Sequence, residues 1–236
     1  LACYCESKST NNDNINFLLP LPYPDDWTLN MLAVDVLEDD TDDEASLVTV
    51  QKHDDWCALT YTGPSSSNQF VACVPTITPS DTGFYWKVTL TALPGPTLRG
   101  GSPCEVFIGI INTAVCGLDD VPSTKSWESS GSNGWKNGYS LSYERGCRQN
   151  RHPTLQAFQQ GDTLLFGVTL DTFCMYSMFR QEQYCIYLPT SSTTPTTTPP
   201  STSSIPEHYI HFNFSTKGTK VVLAPMDDEE RKLLHP

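Results

Sequence analysis

The chain has 236 residues and a formal charge of −13 at pH 7, with 38% hydrophobic, 11% aromatic and only 17% charged residues. That length holds one large domain, or one domain with a tail, and the apolar content is enough for a substantial core. The acidic balance argues against non-specific binding to nucleic acid or anionic membranes, and no stretch reaches the roughly 18 apolar residues that a spanning helix needs.

Residues 1–26 read as an irregular lead-in, polar and Asn-rich at first and then Pro-rich at Leu19-Pro20-Leu21-Pro22-Tyr23-Pro24. The opening at Leu1 rather than Met reads as a processed product or a piece of a larger chain. Trp27 to Leu37 alternates as a strand, and the acidic run Glu38 to Glu44 is expected to be a solvated loop. Leu47–Val50, Trp56–Thr62 and Gln69–Val74 follow as strands, the last two as a hairpin turning at Gly63-Pro64-Ser65-Ser66-Ser67. Gly83 to Leu90, Cys104 to Ile111, Tyr139 to Tyr143, Thr163 to Leu170, Phe173 to Phe179 and Tyr184 to Leu188 continue the series. Between Ile111 and Tyr139 the glycines predict a long loop. Short strands at near-regular spacing, with no long helical pattern, predict an all-β fold of two antiparallel sheets, a β-sandwich over 27–189.

Thr190 to Ser204 is low-complexity and too polar to bury itself, so 190–205 is a linker or an inserted loop. His208 to Phe214 alternates again, making 206–216 the candidate closing strand of the sandwich. Residues 217–236 read as an acidic tail with acids before bases, suiting one short helix.

Three strands carry a resemblance. Gly83-Phe-Tyr-Trp-Lys-Val-Thr-Leu90, Val106-Phe-Ile-Gly-Ile-Ile111 and Gly161-Asp-Thr-Leu-Leu-Phe-Gly-Val-Thr-Leu-Asp171 occur in that order. So does an ending at Ile210-His-Phe-Asn-Phe214. Over about 54–214 the pattern resembles the SPRY family of the Ran-binding-protein type. The resemblance implies a concanavalin-type sandwich that binds a protein segment on its loops, without catalysis and without a cofactor.

Nine cysteines are many for this length, and an odd number leaves at least one unpaired or paired between chains. Cys57 with Cys73, and Cys174 with Cys185, mirror about candidate turns and are candidate disulfides; buried free thiols are the alternative. Asn213-Phe-Ser215 is a glycosylation sequon at the end of a candidate strand.

No nucleophile elbow, P-loop or zinc-protease helix signature occurs, so the expectation is a protein that is not an enzyme. No metal site is expected: His208 and His211 lie at an odd offset on a strand, and Cys3-Tyr-Cys5 has no second pair. Exposed aromatics dominate recognition surfaces, which nominates Trp127, Trp135 and Tyr139 with Lys136 and Asn137, supported by Arg99; the alternative is that both tryptophans fold back to cap the core. Arg145, Arg148 and Arg151 form a basic cluster able to grip a carboxylate, sulfate or phosphate; charge balance in an acidic chain is the alternative. The function expected is protein or peptide recognition; the alternative is a viral or cell-surface attachment head recognising a host receptor or glycan. The cysteines and the mucin-like run favour an extracellular or virion-surface setting over the cytoplasm, with oligomers allowed and no nucleic-acid partner.

Overall fold

The computed structural model describes residues 47–64, 77, 83–94, 106–112, 132–136, 157–188 and 207–234, and the backbone of 35–37, 69–76, 139–142 and 148–151. In chain order the strands are β1 (Asp35–Leu37), β2 (Val48–Lys52), β3 (Cys57–Tyr61), β4 (Gln69–Ile77), β5 (Phe84–Ala92), β6 (Val106–Asn112) and β7 (Ser132–Lys136). They continue as β8 (Tyr139–Ser142), β9 (Arg148–Arg151), β10 (Thr163–Val168), β11 (Thr172–Ser177), β12 (Glu182–Tyr187), β13 (His208–Phe214) and β14 (Lys220–Ala224), before helix α1 (Asp228–Lys232).

Alternation of side chains assigns each strand an inner face. On β5 the buried set is Trp86, Val88 and Leu90; on β10 it is Leu164, Phe166 and Val168; on β13, Ile210, Phe212 and Phe214 join the same core. These faces meet between two seven-stranded sheets, ordered β1-β4-β13-β6-β7-β8-β9 and β12-β11-β10-β5-β14-β3-β2. The architecture is the two-sheet antiparallel β-sandwich expected from the sequence. Aromatic rings bridge the layers. Trp135 of the first sheet lies 4.8 Å from Phe173 and 6.1 Å from Phe166 of the second, and within the second sheet Trp86 lies 5.4 Å from its register partner Phe166.

Four expectations are corrected. Trp56–Thr62 and Gln69–Val74 do not form a hairpin: β3 pairs with β2 and β14, whereas β4 pairs with β1 and β13, so the chain crosses between sheets. Cys57 and Cys73 therefore sit in opposite sheets rather than across one ladder. Cys57 is a free, fully buried thiol, and burial pushes its pKa up. The stretch 217–236 is not only a tail, because β14 is hydrogen-bonded between β5 and β3 near the middle of the second sheet. Within the loop predicted between Ile111 and Tyr139, Ser132–Lys136 forms β7, paired with β6 and β8.

Cys174 and Cys185 are register partners in the β11–β12 ladder and are joined by a disulfide. Helix α1 packs on the outer face of the second sheet, where Met226 and Leu234 bury against Tyr85 and Leu165. A capping box opens it: Asp227 Oδ1 accepts from the Glu230 N–H at 2.8 Å, and Glu230 Oε2 accepts from the Asp227 N–H at 2.9 Å. The lead-in, the acidic run, Cys3, Cys5 and the Thr/Pro run lie outside the described residues.

Candidate functional site

Because Trp86, Val88 and Leu90 face inward, Lys87, Thr89 and Thr91 face outward on β5. The same logic turns Lys220, Val222 and Ala224 of β14 outward, opposite the inward Val221 and Leu223. Register aligns them into rows: Ala58–Val222–Thr89 across three strands, and Ala224–Lys87 one step along. Small side chains here leave a trough of about 510 Å³, lined by Asp55, Trp56, Lys87, Thr91, Val222 and Pro225 among others.

Each wall has a distinct construction. Trp56, half-buried just before β3, stacks on His53 with ring centroids 3.8 Å apart. Facing it across β14 and β5, Lys87 Nζ donates to both Glu230 carboxylate oxygens of α1 at 2.7 and 2.8 Å. Lys220 sits at the far end, where its carbonyl accepts from the Thr91 hydroxyl at 3.1 Å. Its ammonium has no carboxylate partner among the described residues. The trough thus combines an aromatic plane, a small apolar floor and, among the described residues, one cation without a carboxylate partner.

A Ser–His contact lies on the other sheet. Ser132 Oγ is 3.5 Å from His211 Nδ1, and the Phe107 ring is 5.0 Å from the imidazole. Both residues are fully buried, and burial lowers the His211 pKa to about 3. A neutral imidazole closed to solvent does not present a base to a substrate. Among the described residues no group of three or more His, Cys, Asp or Glu is placed to hold a metal ion.

Of the residues nominated from sequence, Trp127, Asn137, Arg99 and Arg145 lie outside the described residues. Trp135 follows the alternative and not the nomination: it is fully buried on β7 and packs the aromatic core, so its ring is not on a contact loop. Lys136, Tyr139 and Arg151 fall in one row across β7, β8 and β9, whereas Arg148 pairs with Ser142 at the opposite end. Asn213 is corrected too: it is 3% exposed on β13 between β4 and β6, with no room for a glycan on the folded strand. Sequence reading missed Trp56, Lys87 and Lys220. The usable signal was the alternation of Lys220-Val-Val-Leu-Ala224, which marks a half-buried strand with a cation outward.

No family model matches the sequence, and no curated protein matches it. Solved structures of similar fold include the SPRY domain of human HERC1, at 16% identity and a TM-score of 0.45, covering 72% of this chain and 89% of that one. A GH16 protein of the Bacteroides ovatus mixed-linkage glucan PUL, in complex with G4G4G3G product, matches at 12% and 0.41, covering 85% and 96%. A winged bean acidic lectin complexed with methyl-α-D-galactose matches at 6% and 0.36, covering 84% and 95%. At these scores the likeness assigns no ligand or activity to this chain.

Proposed function

We propose that this chain is a non-enzymatic recognition module, a SPRY-like β-sandwich that holds an extended acidic segment of a partner protein in the outer-face trough of its second sheet. The observation that carries the reading is the trough itself: preformed, apolar-floored, and supplied with Lys220, which has no carboxylate partner among the described residues. Running along β14 from Lys220 to Pro225, it offers about 16–20 Å, the length of five or six extended residues. An aromatic wall at Trp56 supplies contact area at low entropic cost. The ordered SPRY-like strand motifs support the family reading, and the Cys174–Cys185 bond suits an oxidising compartment. Recognition rests on the sheet face here, rather than on the loops nominated from sequence.

One observation favours a second reading. The trough that holds the Trp56 ring is also lined by Asp55 and Thr91, the mix of apolar plane and polar groups that a pyranose requires. A peptide array graded in acidity and a glycan array, each probed with wild type, Lys220→Glu and Trp56→Ala, separate the two. Acidic peptides are expected to bind and to lose at least tenfold with Lys220→Glu. Retention only on neutral glycans, abolished by Trp56→Ala and indifferent to Lys220, would replace the peptide reading. Binding that ignores both substitutions would remove the trough from consideration.

A further inference from the structure

The β11–β12 hairpin ends in a tip, Met178 to Gln181, that exposes apolar surface while being held rigidly from beneath. Phe179 is 64% exposed and Met178 41% exposed. Such side chains contribute little to folding where they stand, and a polar tip would be the ordinary choice.

The support is elaborate for so short a turn. Asp162, 5% exposed, accepts from the Ser177 hydroxyl at 2.9 Å and from the Phe179 N–H at 3.1 Å. Ser177 Oγ in turn accepts from the Arg180 N–H at 3.2 Å. The Met178 N–H donates to the Thr163 carbonyl at 3.0 Å, and the Gln181 N–H to the Ser177 carbonyl at 2.8 Å. Gln181 holds a left-handed φ of 57° without being glycine. Lower in the same hairpin the disulfide ties Cys174 to Cys185. A buried carboxylate is costly unless hydrogen-bonded, and both of the side-chain bonds it receives fix the tip.

Arg180 completes the tip. Its Nη2 donates to the Ala157 carbonyl at 3.4 Å, and it makes no ion pair among the described residues. We propose that the β11–β12 tip is an interaction site separate from the trough, a preformed anchor that inserts Phe179 and Met178 into an apolar pocket of a partner protein rimmed by a carboxylate that pairs with Arg180. Rigidity lowers the ordering cost of docking, and an exposed aromatic next to Arg is the chemistry of interface hot spots. The charge of −13 selects among occupants: it repels both an anionic lipid surface and a second copy of this chain, whereas a partner of neutral or basic overall charge approaches freely.

The test uses the full chain with the photo-reactive residue p-benzoylphenylalanine at position 179, and at the exposed Thr49 as control, in extract from the native source. The captured protein is then purified and titrated against variants. Its affinity is expected to fall at least tenfold with Phe179→Ser and with Arg180→Glu, and to be largely kept with Phe179→Leu. Asp162→Asn is expected to weaken binding while Phe179 is still present, and Phe179→Ser to leave the thermal midpoint within a degree or two. The proposal is overturned if position 179 captures nothing beyond the Thr49 control, or captures only a second copy. It is equally overturned if Phe179→Ser binds like wild type, or if Phe179 drives sedimentation with phosphatidylcholine–phosphatidylserine vesicles instead.

Discussion

The two sheets share one core but treat their outer faces in opposite ways. On the first sheet the outward positions of β13, β6 and β7 hold Tyr209, His211, Asn213, Phe107 and Ser132, all buried, and His211 is kept neutral by that burial. On the second, α1 covers the part over Tyr85 and Leu165, and an open trough runs along β14, where Lys220 has no carboxylate partner among the described residues. Buried polar groups at one face commit it to structure, because ligand contact would first have to uncover them. The exposed cation and aromatic at the other are free to meet a partner. Position relative to the core alone does not decide role; what lies on the far side of the sheet does.

Acid is expected to break the comparison most strongly. The folded pKa of His211, about 3, lies below the ordinary 6.5, so between these values the unfolded chain binds the extra proton. Stability from this residue is therefore fully present above pH 6.5 and lost as pH falls toward 3, at about 1.4 kcal/mol per pH unit within that window. Urea unfolding from pH 7 to pH 4 should show this slope, and His211→Gln should flatten it whatever its own stability. An unchanged slope in the variant would mean that the buried imidazole is not the titrating group.

Close strand approach on the first sheet gives the next effect. Gly109 and Gly134 are register partners, and a Cβ added at Gly109 would run into the backbone of Asn133 and Gly134. Gly109→Ala should destabilise by about 1–3 kcal/mol, the usual range for overpacking, whereas Thr91→Ala on the open face should change stability by less than about 0.5 kcal/mol. Denaturant midpoints of the two variants make the contrast directly. Equal shifts would erase the distinction between the faces.

The smallest effect sharpens the boundary of the trough. Glu230 both closes the capping box of α1 and pairs with Lys87, with 18% and 26% of their side chains exposed. Glu230→Ala should cost about 1 kcal/mol, chiefly through the lost cap, since a partly exposed ion pair adds little. It should also free Lys87 and tighten binding of acidic peptides by a few-fold. Titration of such a peptide reads this, and weaker binding would show that α1 supports the trough rather than restrains it.

Sequence alone determined the fold class, because alternation with period two is imposed locally: Trp86-Val88-Leu90 and Ile210-Phe212-Phe214 cannot all be buried unless their strands lie on a common core. It also placed Cys174 opposite Cys185, since a short hairpin fixes its own register. It does not distinguish a strand that turns back in its own sheet from one that crosses to the other, so Cys57 and Cys73 read as facing residues although they share no ladder. Nor did it find β7, whose Gly134 reads as a loop residue until Gly109 is seen beside it. The trough was the least legible feature. Trp56, Lys87 and Lys220 are far apart in the chain and meet only because β14 inserts between β3 and β5. Local periodicity says which side of a strand faces the core; only the pairing order, fixed by packing the whole chain at once, says which outward residues become neighbours.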